Sequence, residues 1–225
     1  MGKHFSLTAA DQHQLGAYRA DPKGTPKGGI VVIQEIFGVN NHIRNVCDRF
    51  AEEGYVAVAP ALFDRQVKGF ESGYTPPEIE KARSFIANPD WDAMLRDTDA
   101  AIKELKSVGP VAIIGFCMGG SIAFLAATRL SGLSAAVGYY GGAIAKFADE
   151  KPKIPVQLHF GEKDQGIPMS DVELIKQNRG ADCEIYTYAE AGHGFHCDER
   201  GSFHKESSQV AWKRTTEFFA KHLNK

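Results

Sequence analysis

The chain has 225 residues, 43 % of them hydrophobic and 10 % aromatic, enough to bury a core that needs no disulfide support. Its 26 basic and 28 acidic side chains leave a formal charge of −2 with no run of like charge, which argues against nucleic acid or an anionic membrane surface as partner. Cys47, Cys117, Cys183 and Cys197 lie far apart with no C-x-x-C pair, as expected of free thiols in a reducing compartment rather than a disulfide framework.

The N-terminal stretch lacks the apolar core of a signal peptide, and no apolar run approaches membrane-spanning length. Residues 1–6 fit the M-G-x-x-x-S acylation pattern, but no basic cluster follows to supply a second anchor. The expected location is cytoplasmic.

In chain order, short apolar runs alternate with helical patterns, the signature of a mostly parallel sheet with helices on both faces. Residues 29–34 (GIVVIQ) form the first strand of that pattern. A helix over 41–53 follows, with Ile43, Val46, Cys47 and Phe50 at spacings of three and four. Residues 55–59 are a second strand. Residues 63–89 break the rhythm with Gly69, Gly73, Pro76, Pro77 and Pro89, and carry Phe70 and Tyr74 among charges. They are expected to form an irregular insertion, spanning about 63–90, over the substrate end of the sheet; an ordinary surface loop is the alternative.

A helix over 91–106 leads to the strand 111–115 and then to a helix over 118–130 that is small and apolar throughout, hence buried. Strands at 135–139 and 155–160, a short helix at 171–178, a strand at 183–188 and a closing helix at about 205–222 complete a single domain over 1–225. In such an α/β domain ligands sit at the carboxyl ends of strands, so the chemistry belongs just after Gln34, Gly115, Phe160 and Tyr188.

Gly115-Phe116-Cys117-Met118-Gly119-Gly120 follows a strand and precedes a helix, which is the nucleophile-elbow pattern with cysteine in the serine position. The tight turn forces strained angles on its central residue, so the neighbours must be small. The turn lifts the sulfur above the sheet at a helix N-terminus, where backbone N–H groups hold an oxyanion and the dipole favours a thiolate. A base and an orienter must follow, in the order acid then histidine. Asp164, in the turn GEKD after the strand 155–160, fits the first role, although Glu162 and Asp171 lie near it in sequence. His193, in the glycine-flanked AGHGF after the strand 183–188, fits the second.

Glu35, just past the strand 29–34, is placed at the mouth of the same site. A carboxylate close to a thiol disfavours the thiolate, so Glu35 is expected to hold Cys117 protonated until substrate displaces it. The backbone N–H groups of Met118 and Ile36 are the expected oxyanion donors.

These residues resemble the dienelactone hydrolase family, the carboxymethylenebutenolidases, a cysteine branch of the α/β-hydrolases. The resemblance is carried by QEIFGVN at 34–40, EEGYVAVAPALFDRQ at 52–66, GFCMGG at 115–120, AVGYYG at 136–141, HFGEKD at 159–164 and AGHGF at 191–195. It implies Cys117 as nucleophile, His193 as base, Asp164 as orienter and Glu35 as the gate on thiol ionisation. It also implies a monomeric, cofactor-free enzyme acting on a small ester or lactone. The best-known members hold a substrate carboxylate with two arginines. Here the place beyond the triad histidine falls on Cys197, which cannot pair with a carboxylate. Arg200, Arg83, Lys81, Phe37 and Tyr139 are the candidates for substrate contact.

Three other readings compete. A metal site in the run holding His193, His196, Cys197, Asp198 and His204 fits no standard zinc spacing. A peroxide-sensing thiol at Cys117 would want an exposed thiolate and a resolving cysteine. A non-catalytic binding module would have no use for nucleophile, acid and base together. Among the remaining histidines, His159 is expected to be a hydrogen-bonded core residue, and His4, His13, His42 and His222 to face solvent. Trp91 and Trp212 are expected in the core.

Overall fold

The computed structural model describes residues 2–223, so Met1 of the M-G-x-x-x-S pattern lies outside the described residues. The chain divides into two compact units, one ending at Ile113 and the other beginning at Ile114.

The first unit opens with a hairpin that the apolar pattern did not announce: β1 (Lys3–Thr8) pairs antiparallel with β2 (Gln14–Ala20). β1 buries only Leu7 fully, since an edge strand takes its hydrogen bonds from its neighbour and leaves one face in solvent. β2 pairs antiparallel with β4 (Val56–Pro60), which pairs parallel with the wholly buried β3 (Gly29–Ile33), giving the order β1-β2-β4-β3. Between them, α1 (Asn41–Glu52) starts at Asn40, whose side chain accepts the Ile43 N–H. Ile43, Val46, Cys47 and Phe50 are buried as their spacing demands. His42, expected in solvent, is 2 % exposed: it stands one helical turn before Val46 and two before Phe50, on the same buried stripe.

The stretch expected to be irregular holds a helix, α2 (Pro76–Ser84). Thr75 and Glu78 form a capping box, and proline occupies the first helical position, where its missing N–H costs nothing. The T-P-P-E run is therefore a helix start, in which the prolines open the helix instead of breaking it. The segment is also ordered from within. Phe85 packs against Phe63 and Phe70 at centroid distances of 5.1 and 4.4 Å. Gly38 bridges to Glu71, and Asn40 donates from Nδ2 to the Tyr74 hydroxyl at 3.0 Å. α3 (Trp91–Leu105) follows, capped by Asp90.

The boundary between the units falls within β5 (Val111–Phe116). In the second unit the order is β5-β6-β7-β8, with β6 (Ala135–Tyr139), β7 (Val156–Gly161) and β8 (Cys183–Tyr188) pairing parallel in succession. α4 (Met118–Arg129) is buried from Met118 to Thr128, as its small apolar composition requires. α5 (Met169–Arg179) and α6 (Lys205–Leu223) complete the elements. Among the described residues no helix is long and apolar enough to cross a membrane.

His159, in the middle of β7, is fully buried. Burial penalises its imidazolium form, and the Arg214 charge adds to this, so its pKa falls from 6.5 to about 3. The unfolded chain therefore takes up this proton first, and the native state loses stability as pH falls below about 6.5 toward 3. Between pH 7 and pH 4 this residue should account for about 3 kcal/mol of lost stability. Urea midpoints over that range for the wild type and His159→Gln measure it; equal slopes with pH would refute the assignment.

Candidate active site

The site is built from the end of β5 outward. Cys117 is the N-cap of α4 with φ 55° and ψ −117°, a left-handed conformation rare for a residue with a side chain. The turn is tight enough that a Cβ on Gly115 would fall on the Gly119 carbonyl and 2.9 Å from the Gly120 nitrogen. The Cys117 N–H donates to the Tyr139 carbonyl at 3.0 Å, which ties the elbow to the end of β6. Met118 is the first helical residue, so its N–H has no acceptor within α4.

His193 stands between the other two members. Its Nε2 lies 3.1 Å from Cys117 Sγ, and its Nδ1 lies 2.7 Å from Asp164 Oδ2. The Asp164 side chain is fully buried, and its other oxygen accepts backbone N–H groups of Gly166 and Ile167 at 2.8 and 3.2 Å. Burial opposes a charge on His193, but the negative charges of the Cys117 sulfur and of the bonded Asp164 outweigh it. The imidazole pKa rises from 6.5 to about 10. The charged imidazole of His193 is thus favoured here, while the 29 % exposure of its side chain leaves it open to a ligand.

The histidine loop is held on both sides. His196 stacks between Phe116 and Trp212 at centroid distances of 5.6 and 5.5 Å, and its Nδ1 lies 2.9 Å from Ser208 Oγ. Gly194 takes φ 77°, and a Cβ there would sit 2.8 Å from Arg200 Cζ and 3.1 Å from its Nε. The Arg200 guanidinium therefore lies against the chain next to His193. His204 bonds to Ser207, so the histidines of the run 193–204 take separate partners instead of converging on one point. Cys183 is buried and pushed up to about 12, and burial raises Cys47 further still; these are inert thiols.

Of the expected substrate contacts, one is turned away from the site. Tyr139 is wholly buried and its hydroxyl lies 2.8 Å from Thr215 Oγ1, because strand alternation turns it into the core rather than toward ligand. Phe37 is buried edge-on against Tyr74 at 4.7 Å, where it packs the insertion down. Lys81 is exposed, with its Nζ 5.6 Å over the Phe70 ring, and Arg83 is exposed on α2. Tyr140 was missed: it has φ 38°, and its ring lies 5.1 Å from that of His193. Its place just past β6, at a strand's carboxyl end, was the available signal. Glu35 is 1 % exposed, in the loop after β3, with its carbonyl accepting from Gln34 Nε2 at 3.3 Å.

Parallel strands that end, in turn, at a nucleophile, an acid and a histidine define an α/β-hydrolase. Residues 15–223 match the family model described as dienelactone hydrolase, and the chain belongs to that family. It is a hydrolase of the ester- and lactone-cleaving kind. A Synechocystis sp. protein provisionally named a carboxymethylenebutenolidase is 39 % identical, the match covering 93 % of each chain. The carboxymethylenebutenolidase of Pseudomonas putida is 32 % identical over 96 % of this chain and 95 % of its own. A crystal structure from Klebsiella pneumoniae, provisionally named a dienelactone hydrolase, superposes with a TM-score of 0.85 at 32 % identity, covering 98 % of this chain and 99 % of that one.

Proposed function

We propose that this protein cleaves small activated esters and enol-lactones through a Cys117 thioester, with His193 as base and Asp164 as its orienter. The observation that carries this reading is the His193 ring bonded to Cys117 Sγ through one nitrogen and to Asp164 through the other. Cys117 attacks the carbonyl carbon, and the backbone N–H group of Met118 holds the oxyanion, a contact worth about 3 kcal/mol. The alkoxide or enolate leaves, and water activated by His193 hydrolyses the thioester. Enolate leaving groups suit a thiol, because a poor leaving group lets the tetrahedral adduct collapse backward. The enzyme acts as a cytoplasmic monomer without cofactor.

A screen of p-nitrophenyl esters, enol-lactones and thioesters, with Cys117→Ala as blank, tests the reading. Enol-lactones and aryl esters should outrun simple alkyl esters, and the reverse order would remove the leaving-group argument.

Glu35 restrains the thiol until substrate arrives. Its place just past β3, at a strand's carboxyl end, is what supports this reading. Glu35→Gln should speed iodoacetamide alkylation of Cys117 at neutral pH about tenfold, because it removes a like charge that opposes the thiolate. Unchanged alkylation kinetics would end the gating role.

Arg200 anchors a carboxylate on the substrate, a reading supported by its guanidinium lying against Gly194, next to the base. Arg200→Ala should raise KM about tenfold for carboxylate-bearing esters and leave neutral esters nearly unchanged, the loss of one charge-assisted hydrogen bond. Equal effects on both would make Arg200 a brace for the loop.

A further inference from the structure

Behind the site lies a buried polar network that the chemistry above does not use. Its hub is His159, one strand away from Tyr139 in the β6–β7 register and paired with Tyr186 of β8. His159 Nδ1 lies 2.8 Å from the Tyr188 hydroxyl, and its Nε2 lies 2.9 Å from Gln157 Oε1 and 3.4 Å from Thr215 Oγ1. Thr215 Oγ1 in turn lies 2.8 Å from the Tyr139 hydroxyl.

The donor directions are fixed from the two ends. Gln157 donates from Nε2 to the Glu184 carboxylate at 3.0 Å, so its Oε1 faces His159 and the imidazole proton is on Nε2. Arg214 donates from Nη1 to the Tyr188 oxygen at 3.2 Å, leaving the Tyr188 hydroxyl to donate to Nδ1. One chain of donors thus runs Arg214 to Tyr188 to His159 to Gln157 to Glu184, and beside it Thr215 Oγ1 shares a hydrogen bond with the Tyr139 hydroxyl in which either can donate. The groups facing His159 are Tyr139 from β6, Gln157 from its own strand, Tyr186 and Tyr188 from β8, and Arg214 and Thr215 from α6.

The two tyrosines are the backbone anchors of the triad. The Tyr139 carbonyl accepts the Cys117 N–H. The Tyr188 carbonyl accepts the N–H of Glu162 at 3.0 Å, in the turn that carries Asp164, and that of Ala191 at 3.2 Å, in the loop that carries His193. The His159 carbonyl accepts the N–H of Tyr140, whose ring rests on His193. Filling such a core position with apolar side chains is often neutral or stabilising, so stability alone does not call for a polar hub. What a directed hydrogen-bond chain adds is one defined spacing between the strands it joins.

We propose that His159, with Tyr188, Thr215 and Tyr139, is a positioning network that sets the Cys117–His193–Asp164 geometry from behind the sheet; this rests on the triad reading above. The hydrogen bonds traced above for its side chains do not touch the reacting atoms. They act through the backbone hydrogen bonds that seat the three groups that do.

The test uses near-isosteric substitutions in the full chain. Tyr188→Phe and Thr215→Val each remove a hydroxyl and keep the shape, while Thr215→Ser restores the hydroxyl at a smaller volume. Tyr188→Phe and Thr215→Val should lower kcat about tenfold with KM unchanged, as supporting interactions around a reactive centre commonly do. They should also shift the pH midpoint of Cys117 alkylation, and Thr215→Ser should recover most of both. Wild-type kcat and alkylation profile in Tyr188→Phe and Thr215→Val would overturn the proposal. So would losses equal in Thr215→Ser and Thr215→Val, which would mark a packing effect. Cys117→Ala run in parallel separates the two claims. Retained activity there sinks the triad reading, whereas an inactive Cys117→Ala beside fully active Tyr188→Phe sinks only the network.

Discussion

Cys117→Ala is expected to lower kcat by about 10³-fold or more, with the fold and melting temperature kept. The sulfur lies 3.1 Å from His193 Nε2, and no other atom of the turn can form the covalent intermediate. What remains without it is the oxyanion site and substrate binding, which in triad enzymes still accelerate hydrolysis above water. Alanine removes little volume at a half-buried position, so the loss should appear in turnover and not in stability. Single-turnover kinetics with a chromogenic ester check this, since the burst of released alcohol that reports acylation should vanish. Near-normal esterase activity in Cys117→Ala would end the proposal.

The second large effect is expected from Gly115→Ala, which leaves every reactive group in place. The added methyl would meet the backbone of Gly119 and Gly120, and backbone has no alternative rotamer to adopt. The elbow must open, at a cost of about 3 kcal/mol, and Cys117 moves with it. A shift of about 1 Å in a reacting atom is worth about 10²-fold in rate, so kcat should fall by that order. Gly201→Ala is the control, because a Cβ there meets nothing within 4 Å. Denaturation midpoints and kcat for both variants decide the matter: a Gly115→Ala protein with wild-type midpoint and turnover would mean that the turn is looser than its geometry implies.

Much of the second unit could be read in advance. Strands and helices from residue 111 onward begin and end within two positions of their expected bounds, because buried parallel strands are continuous apolar runs and need no partner to be recognised. The hairpin of β1 and β2 could not be read this way. Its edge strand is mostly exposed, and its pairing is a relation between two segments instead of a pattern in either. In the insertion, prolines look like breakers from sequence alone, yet Pro76 and Pro77 open α2 beneath a Thr75–Glu78 capping box. The polarity of His42 points to solvent, but its place on the stripe shared with Val46 and Phe50 buries it.

By itself the sequence determined the elbow and the order of its partners. A strained turn with glycines two before and two after Cys117 is written in six contiguous residues, and acid and histidine follow at successive strand ends. Tertiary structure alone decided which side chains meet: His193 lies 76 positions from Cys117 and 29 from Asp164, and distances across such separations depend on strand register. It also decided that Tyr139 faces the core, that Arg200 lies against Gly194, and that His159 joins the tyrosines behind the triad. Local turn chemistry is set by the backbone limits of neighbouring residues, whereas a meeting of distant side chains exists only once the sheet has brought their strands together.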